Sequence, residues 1–97
     1  MNDYILLMHS DATEAETDAQ WESYFAKLRE QGVFQGGSAI GRGEVLRKAG
    51  QPNPLSDHLV GFIRVKAQNL VHAKSLVEGN PVFENGGSVE VRELPTD

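Results

Sequence analysis

The chain has no cysteine among its 97 residues, which excludes a disulfide framework, a thiolate metal site and a thiol nucleophile. It also lacks any run of basic residues, and its formal net charge is -5. Nucleic acids and anionic membrane surfaces are therefore not expected as partners. No apolar run reaches the length of a bilayer-spanning helix. The first residues lead into a predicted strand rather than into a basic leader sequence, so we expect a cytoplasmic protein.

The residues that are present have the composition of an ordinary globular protein, with 39% hydrophobic and 24% charged side chains. A chain of 97 residues is near the lower end of the length that can bury a self-sufficient hydrophobic core. We therefore predict one domain that spans residues 1–97.

One amphipathic helix, with the turn that ends it, organises the rest of the chain. Its apolar side chains recur at helical spacing, at Trp21, Tyr24, Phe25 and Leu28. Thr17 and Gln20 have the spacing of a capping box at the start of this helix. Gly32 can adopt the left-handed conformation that ends a helix. A stripe so rich in aromatic residues predicts that the helix packs against a large apolar surface.

Four predicted strands supply that surface, at residues 4–8, 35–48, 59–65 and 88–94. Glycines in the second strand predict either a β-bulge or a close approach of another backbone segment. A shorter helix is predicted from the spacing of Leu70, Ala73, Leu76 and Val77, with a stop at residues 79–81. Residues 82–87 are predicted to be a connection and residues 95–97 a frayed tail. This order predicts an α+β ferredoxin-like βαββαβ sandwich, a four-stranded antiparallel sheet with two helices on one face.

The face of the sheet turned away from the helices has consequences for assembly. The strands at 4–8 and 59–65 are apolar on both faces, whereas two helices can cover only one face of a sheet. In a monomer the uncovered face would be a large exposed apolar patch. We therefore expect a homodimer in which a second copy packs its own sheet against this face.

His9 is the leading candidate for catalysis, because it ends the predicted central strand. Asp11 lies two residues further along and is placed to turn back and orient the ring, so that His9 would act as a general base near neutral pH. The alternative is a strand-end histidine that hydrogen-bonds only to backbone. His58, which follows a proline-containing loop, is either a ligand contact or a turn residue. The isolated histidines do not form a metal-binding pattern, and we expect neither a metal nor a cofactor.

Arginines that interrupt apolar strands are the candidates for ligand binding. Arg42, Arg64 and Arg92 would suit a carboxylate or phenolate ligand if they surround one cleft. The alternative is that they form ion pairs at the rim or between subunits, with Glu44, Glu90 and Glu93. The glycines near Arg42 do not form a phosphate-binding loop, because no predicted helix follows them.

Four stretches of the chain together resemble the YCII-related proteins, and most of all the branch often called DGPF-domain proteins. They are YILLMH at 4–9, YFAKLREQGVFQGGS at 24–38, VGFIRV at 60–65 and GNPVFENGGSVEVREL at 79–94. The resemblance implies a ferredoxin-like fold that dimerises into an α/β barrel. Most members have no assigned activity, and a few are hydrolytic or dehalogenating on chlorinated aromatics.

The chain departs from the family pattern at the positions that matter for catalysis. The Asp-Gly-Pro-Phe signature is absent from the loop at 53–58, which reads NPLSDH. The resemblance implies a histidine in the first helix and an aspartate before the proline that follows the second. Those positions hold Trp21 and Asn80, and neither side chain can do acid–base work near neutral pH.

Three hypotheses for function remain at this point. The first is a dimeric module that binds a small anionic or aromatic molecule in a cleft beside the sheet. The second is a cofactor-free lyase, isomerase or monooxygenase that uses His9 as the base and Arg42 or Arg92 to hold an anionic oxygen. The third is a protein-interaction accessory of a transcription regulator.

Overall fold

The computed structural model describes residues 1–96 and contains a single four-stranded sheet. Its elements are, in chain order, β1 (Asn2–His9), α1 (Asp18–Glu30), β2 (Phe34–Ala39), β3 (Leu59–Ala67), α2 (Leu70–Ser75), α3 (Pro81–Glu84) and β4 (Val89–Leu94). The strands lie in the order β2-β3-β1-β4, and every neighbouring pair is antiparallel. The predicted α+β ferredoxin-like sandwich is confirmed, with β1 in the interior of the sheet.

The core lies between the sheet and the helices, and strand alternation decides which residues enter it. On β1 the side chains of Tyr4, Leu6 and Met8 are buried, while the intervening residues are half-buried. On β3 the residues Ile63 and Val65 are buried in the same way. Because successive side chains of a strand point to opposite faces, each strand contributes one row of residues to the core.

Helix α1 has the predicted start and stop. The Thr17 side chain accepts from the Gln20 backbone N–H at 3.1 Å, and the Gln20 side chain accepts from the Thr17 N–H at 2.9 Å, which completes the capping box. Gly32 has a φ of 71°, in the left-handed region. The predicted stripe is only partly buried, however, because Tyr24 and Leu28 are inside whereas Trp21 and Phe25 are half-buried.

The half-burial of Trp21 and Phe25 follows from their position at the edge of the sheet. Phe25 packs on Phe34 at the start of β2, an edge strand. Beyond Phe34 this strand continues with glycines, which bring no side chains to cover the two rings.

The second predicted strand is shorter than expected, because β2 ends at Ala39 rather than near residue 48. The predicted bulge is confirmed between Phe34 and Gly36. β2 stops pairing with β3 near the residue where β3 begins. The last pair is Ala39 with Gly61, and β3 starts at Leu59. Residues 40–58 contain no helix or strand, and we call them the arm. Leu46, in the arm, is 88% exposed.

The second helical region also differs from the prediction. Helix α2 ends at Ser75, and Leu70, which was expected to face the core, is 50% exposed. The predicted connection at 82–87 is wrong in its first half, because α3 begins at Pro81. The Asn80 side chain caps this helix, with Oδ1 accepting from the N–H groups of Val82 at 2.9 Å and Phe83 at 3.3 Å. Asparagine at the cap and proline at the first helical position favour the start of a helix, although the same residues were predicted to end one.

Within residues 1–96, the opposite side of the sheet carries no helix, and we call it the open face. Its centre is formed by the half-exposed side chains of Ile5, Leu7 and Phe62. An ion pair between Lys66 and Asp3, at 2.9 Å, lies at one end of this face. No helix within residues 1–96 has the length and apolar character needed to cross a bilayer. Of the predicted tail, Pro95 and Thr96 are exposed, and Asp97 lies outside the described residues.

Candidate functional site

His9 lies at the end of the open face, and its ring is held by a carboxylate. His9 Nε2 lies 3.1 Å from Glu90 Oε1, and Arg92 Nη1 donates to Glu90 Oε2 at 3.0 Å. We call these three residues the His9 cluster. The hydrogen bond from Arg92, and then the one with His9, hold the pKa of Glu90 below its usual value. The cluster thus pairs an imidazole with a carboxylate that can orient the ring, an arrangement compatible with a histidine general base.

Asp11, which the sequence assigned as the partner of His9, binds elsewhere. Its carboxylate accepts from the Ser88 backbone N–H at 2.7 Å and from the Ser88 hydroxyl at 2.6 Å. These bonds, the hydroxyl first, lower the pKa of Asp11. Asp11 binds Ser88 rather than His9 because of the backbone. The His9 N–H donates to the Ser88 carbonyl at 3.0 Å, and this bond brings the connection before β4 alongside residue 11. Glu90 lies diagonally across from His9 on the same face.

The predicted arginines do not meet in one cleft. Arg64 and Arg92 share the open face, on either side of Ile5, which pairs with both of them. Arg64 Nη2 also donates to the Gln35 carbonyl at 2.9 Å. Arg42 lies in the arm, where it lines a separate cavity of about 580 Å³ together with Asp57. Of the proposed ion pairs, the one between Arg92 and Glu90 is present.

His58 is exposed and lies beside the His9 cluster. Its ring meets the ring of His9 edge to face, with centroids 5.0 Å apart. The structure therefore brings together His9, His58 and Arg92 from the predicted site residues, with Arg64 further along the same face. It leaves Asp11 bonded to Ser88 and places Arg42 in the arm.

A second candidate site lies on the helix side of the sheet, where α1 crosses the β2–β3 edge. This is a cavity of about 420 Å³, which we call the Trp21 cavity. It is lined by Met8, Glu16, Trp21, Phe25, Gly37, Ser38, Ala39, Gly61, Phe62 and Ile63. Neither the cavity nor the part that Glu16 plays in it was predicted from the sequence.

Two glycines form the floor of the Trp21 cavity, and a side chain fits at neither. A Cβ on Gly37 would lie 2.5 Å from the Phe62 carbonyl oxygen. A Cβ on Gly61 would lie 2.9 Å from the Met8 methyl carbon and 3.2 Å from the Ser38 carbonyl oxygen. Glycine at these two positions allows the neighbouring strand and side chains to approach this closely, and it brings no side chain into the space beneath α1.

Aromatic rings form the wall that faces this floor. The rings of Trp21 and Phe25 stack with centroids 5.4 Å apart and planes 28° apart. Trp21 Nε1 donates to Glu16 Oε1 at 3.1 Å, which fixes the indole at the mouth of the cavity. Among the described lining residues, Glu16 is the one with a formal charge.

Asn80, at the other position where the family resemblance implies an acid–base residue, lies behind the Trp21 cavity. Its side chain is fully buried, and Nδ2 lies 3.5 Å from the sulfur of Met8, which lines the cavity. Next to it, burial raises the pKa of Tyr24 to about 12, although the neighbouring Asn80 side chain acts in the opposite direction. Trp21, Asn80 and Tyr24 thus provide no group that titrates near neutral pH. Within residues 1–96, no three acidic or histidine side chains converge on a point that could hold a metal ion.

Comparison with known proteins identifies the family. The sequence pattern of the YCII-related domain matches residues 3–95. The chain belongs to the YCII-related family. Its membership, which the four quoted stretches predicted, is therefore confirmed. No curated protein matches this YCII-related chain.

A solved structure similar to this YCII-related chain is the 5-chloro-2-hydroxyhydroquinone dehydrochlorinase TftG of Burkholderia phenoliruptrix, in complex with 2,5-dihydroxybenzoquinone. The two share 14% sequence identity with a TM-score of 0.55, and the match covers 98% of this chain and 95% of that one. At this identity the likeness establishes the ferredoxin-like fold over nearly the whole chain.

Proposed function

We propose that this YCII-related protein binds a small aromatic molecule in the Trp21 cavity. The observation that carries the proposal is the stacked pair of Trp21 and Phe25 standing over a floor of Gly37 and Gly61. A flat ring fits between an aromatic wall and a floor without side chains. A volume of about 420 Å³ is within the range of small-molecule sites, which runs from about 300 to 1,000 Å³.

Binding without acid–base chemistry is favoured at this cavity by the residues that surround it. Trp21 and Asn80 stand where the family resemblance implies a histidine and an aspartate, and neither side chain exchanges a proton near neutral pH. The Asn80 oxygen is occupied by the backbone of α3. The TftG structure, which holds a small quinone, supports a small ring as the type of ligand.

The proposal is tested by filling the cavity from its exposed edge. Ala39 lines the cavity at the exposed end of β2, so Ala39→Phe places a ring in the cavity without changing the buried core. Glu30→Phe, at the exposed end of α1, adds the same side chain elsewhere. We expect calorimetry to show phenol binding to the wild type and to Glu30→Phe, and binding at least about tenfold weaker to Ala39→Phe. Equal affinity for all three proteins would contradict the proposal.

A second candidate function is cofactor-free catalysis at the His9 cluster, as a lyase, isomerase or monooxygenase. The hydrogen bond between His9 and Glu90 favours it, because a carboxylate partner orients an imidazole that acts as a base. In this candidate Arg92, at the same end of the open face, holds an anionic oxygen of the substrate. His58 would contact the ligand from beside the His9 ring.

We also propose that a second copy of the chain covers the open face. The apolar side chains of Ile5, Leu7 and Phe62 are half-exposed at its centre, and exposed Val60 continues the patch. The family resemblance implies the same face-to-face dimer. The arm, with its exposed Leu46 and Leu55, offers further apolar contacts to the second copy. An interaction accessory of a transcription regulator would instead use these surfaces for a different protein.

A further inference from the structure

We infer that the Trp21 cavity selects aromatic ligands that carry a positive charge, of the arylalkylammonium class. This inference rests on the proposed function and concerns the charge of the ligand. It differs from the expectation of an anionic ligand, which depended on arginines that the structure places on the open face and in the arm.

The polar groups that line the cavity favour a ligand with positive charge. Trp21 N–H already donates to Glu16 Oε1, and the Ser38 hydroxyl already donates to the Ala39 carbonyl at 2.9 Å. Glu16 Oε2 makes no hydrogen bond within residues 1–96, so the mouth presents a carboxylate oxygen to a ligand. No lysine, arginine or histidine is among the lining residues that the structure describes. A carboxylate ligand would therefore meet repulsion from Glu16 and lose its own hydration without compensation.

The aromatic wall favours the same charge. The faces of tryptophan and phenylalanine rings carry negative potential and attract ammonium groups within about 6 Å of the ring centroid. This row of rings already holds one cation at its far end, where Arg29 Cζ lies 5.8 Å from the Phe25 centroid and 5.2 Å from the Phe34 centroid. Arg29 does not line the cavity, so the Trp21 end of the row and Glu16 remain accessible to a ligand cation.

The test uses three probes of nearly the same shape and different charge: 2-phenylethylammonium, 2-phenylethanol and phenylacetate. Their dissociation constants are measured by calorimetry near neutral pH and low salt, with the wild type and Glu16→Gln. The glutamine oxygen can still accept from Trp21 Nε1, so the substitution removes charge and keeps the hydrogen bond. Glu14→Gln is the matched control, because Glu14 is exposed and does not line the cavity.

We expect the wild type and Glu14→Gln to bind the ammonium probe about five- to tenfold more tightly than the alcohol, and phenylacetate most weakly. In Glu16→Gln the preference for the ammonium probe should fall to about twofold, the part due to the rings. Equal binding of all three probes, or the same preference in Glu16→Gln, would overturn the inference and leave the proposed function intact. If none of the probes binds the wild type, the proposed function fails and the inference fails with it.

Discussion

Glu90 on β4 holds the imidazole of His9 on β1, with Oε1 and Nε2 3.1 Å apart. The contact is made on the open face, whereas the Trp21 cavity is formed on the helix side around Met8, the residue before His9. Two candidate sites therefore lie back to back on opposite faces of one sheet. A substitution in one of them should leave the other unchanged.

The first prediction uses this separation. We expect His9→Gln to leave phenol binding within about twofold of wild type, because the Trp21 cavity lies on the other face. A thermal-shift and calorimetry series with phenol and benzoate measures both sites, with His72→Gln as the matched control. A loss of benzoate binding of more than about tenfold in His9→Gln, at an unchanged melting temperature, would support catalysis or ligand binding at the His9 cluster. Loss of phenol binding in His9→Gln would contradict the separation of the two sites.

The second prediction concerns Tyr24 and alkaline pH. Its hydroxyl donates to the Leu76 carbonyl at 2.7 Å, and burial raises its pKa from the usual 10 to about 12. Below pH 10 the residue is neutral in both the folded and the unfolded chain. Between about pH 10 and 12 the unfolded chain ionises first, so stability is lost as the pH rises, by roughly 3 kcal/mol for this difference in pKa.

Tyr24→Phe separates this term from other groups that titrate at alkaline pH. Below pH 10 the variant should be less stable than wild type by about 1–3 kcal/mol, because the Leu76 carbonyl loses its partner. As the pH rises from 10 to 12 the difference should shrink by roughly 2–3 kcal/mol, since phenylalanine cannot ionise, and it should change sign only if the initial difference is smaller than this loss. Urea denaturation of both proteins at a series of pH values measures this difference in the free energy of unfolding. A difference that stays constant with pH would show that ionisation of Tyr24 does not cause the loss of stability at alkaline pH.

The third prediction concerns the contributions of two residues of the α1 stripe to stability. Phe25 is half-buried, so Phe25→Ala should cost about 1–3 kcal/mol, below the 3–5 kcal/mol typical of a fully buried ring. Leu28 is 0% exposed, so Leu28→Ala should lower the free energy of unfolding by about 3–5 kcal/mol. The two costs are compared through the urea midpoints of the variants, provided that the unfolding free energy of each depends equally steeply on urea concentration. A larger cost for Phe25→Ala than for Leu28→Ala would mean that the two residues are buried in the reverse order.

The fourth prediction concerns the open face. We expect light scattering to give twice the mass of one chain for the wild type at micromolar concentration. Leu7→Asp introduces a charge at the centre of the face and should give a folded monomer, because an unpaired charge in an apolar interface is costly. Ser23→Asp, on the exposed side of α1, should remain dimeric. A wild-type protein with the mass of a single chain would overturn both the dimer and the barrel arrangement.

Local sequence patterns predicted most of the fold because they depend on near neighbours. The capping box of Thr17 and Gln20, the glycine stop at Gly32 and the alternation along β1 each follow from residues a few positions apart. The wrong prediction at residues 82–87 arose where two local signals disagree. Pro81 can end one helix or begin another, and the Asn80 cap decided the outcome.

The candidate sites were harder to predict because their residues are distant in sequence. The pairing of His9 with Glu90 depends on the register between β1 and β4, which strand parity alone does not fix. The Trp21 cavity depends on Gly37 of β2 and Gly61 of β3 lying diagonally across from each other beneath α1. Glu16, which comes before the helix, carried no signal of its own in the sequence.

The most direct test of ligand binding in the Trp21 cavity is a fluorescence titration, because Trp21 is the single tryptophan of the chain. Phenol that enters the cavity contacts the indole and should change its emission in a saturable way, with the dissociation constant found by calorimetry. The same saturable change is expected in Glu30→Phe, and its loss is expected in Ala39→Phe, where a ring fills the space. Emission that changes linearly with phenol concentration, equally in all three proteins, would contradict the account.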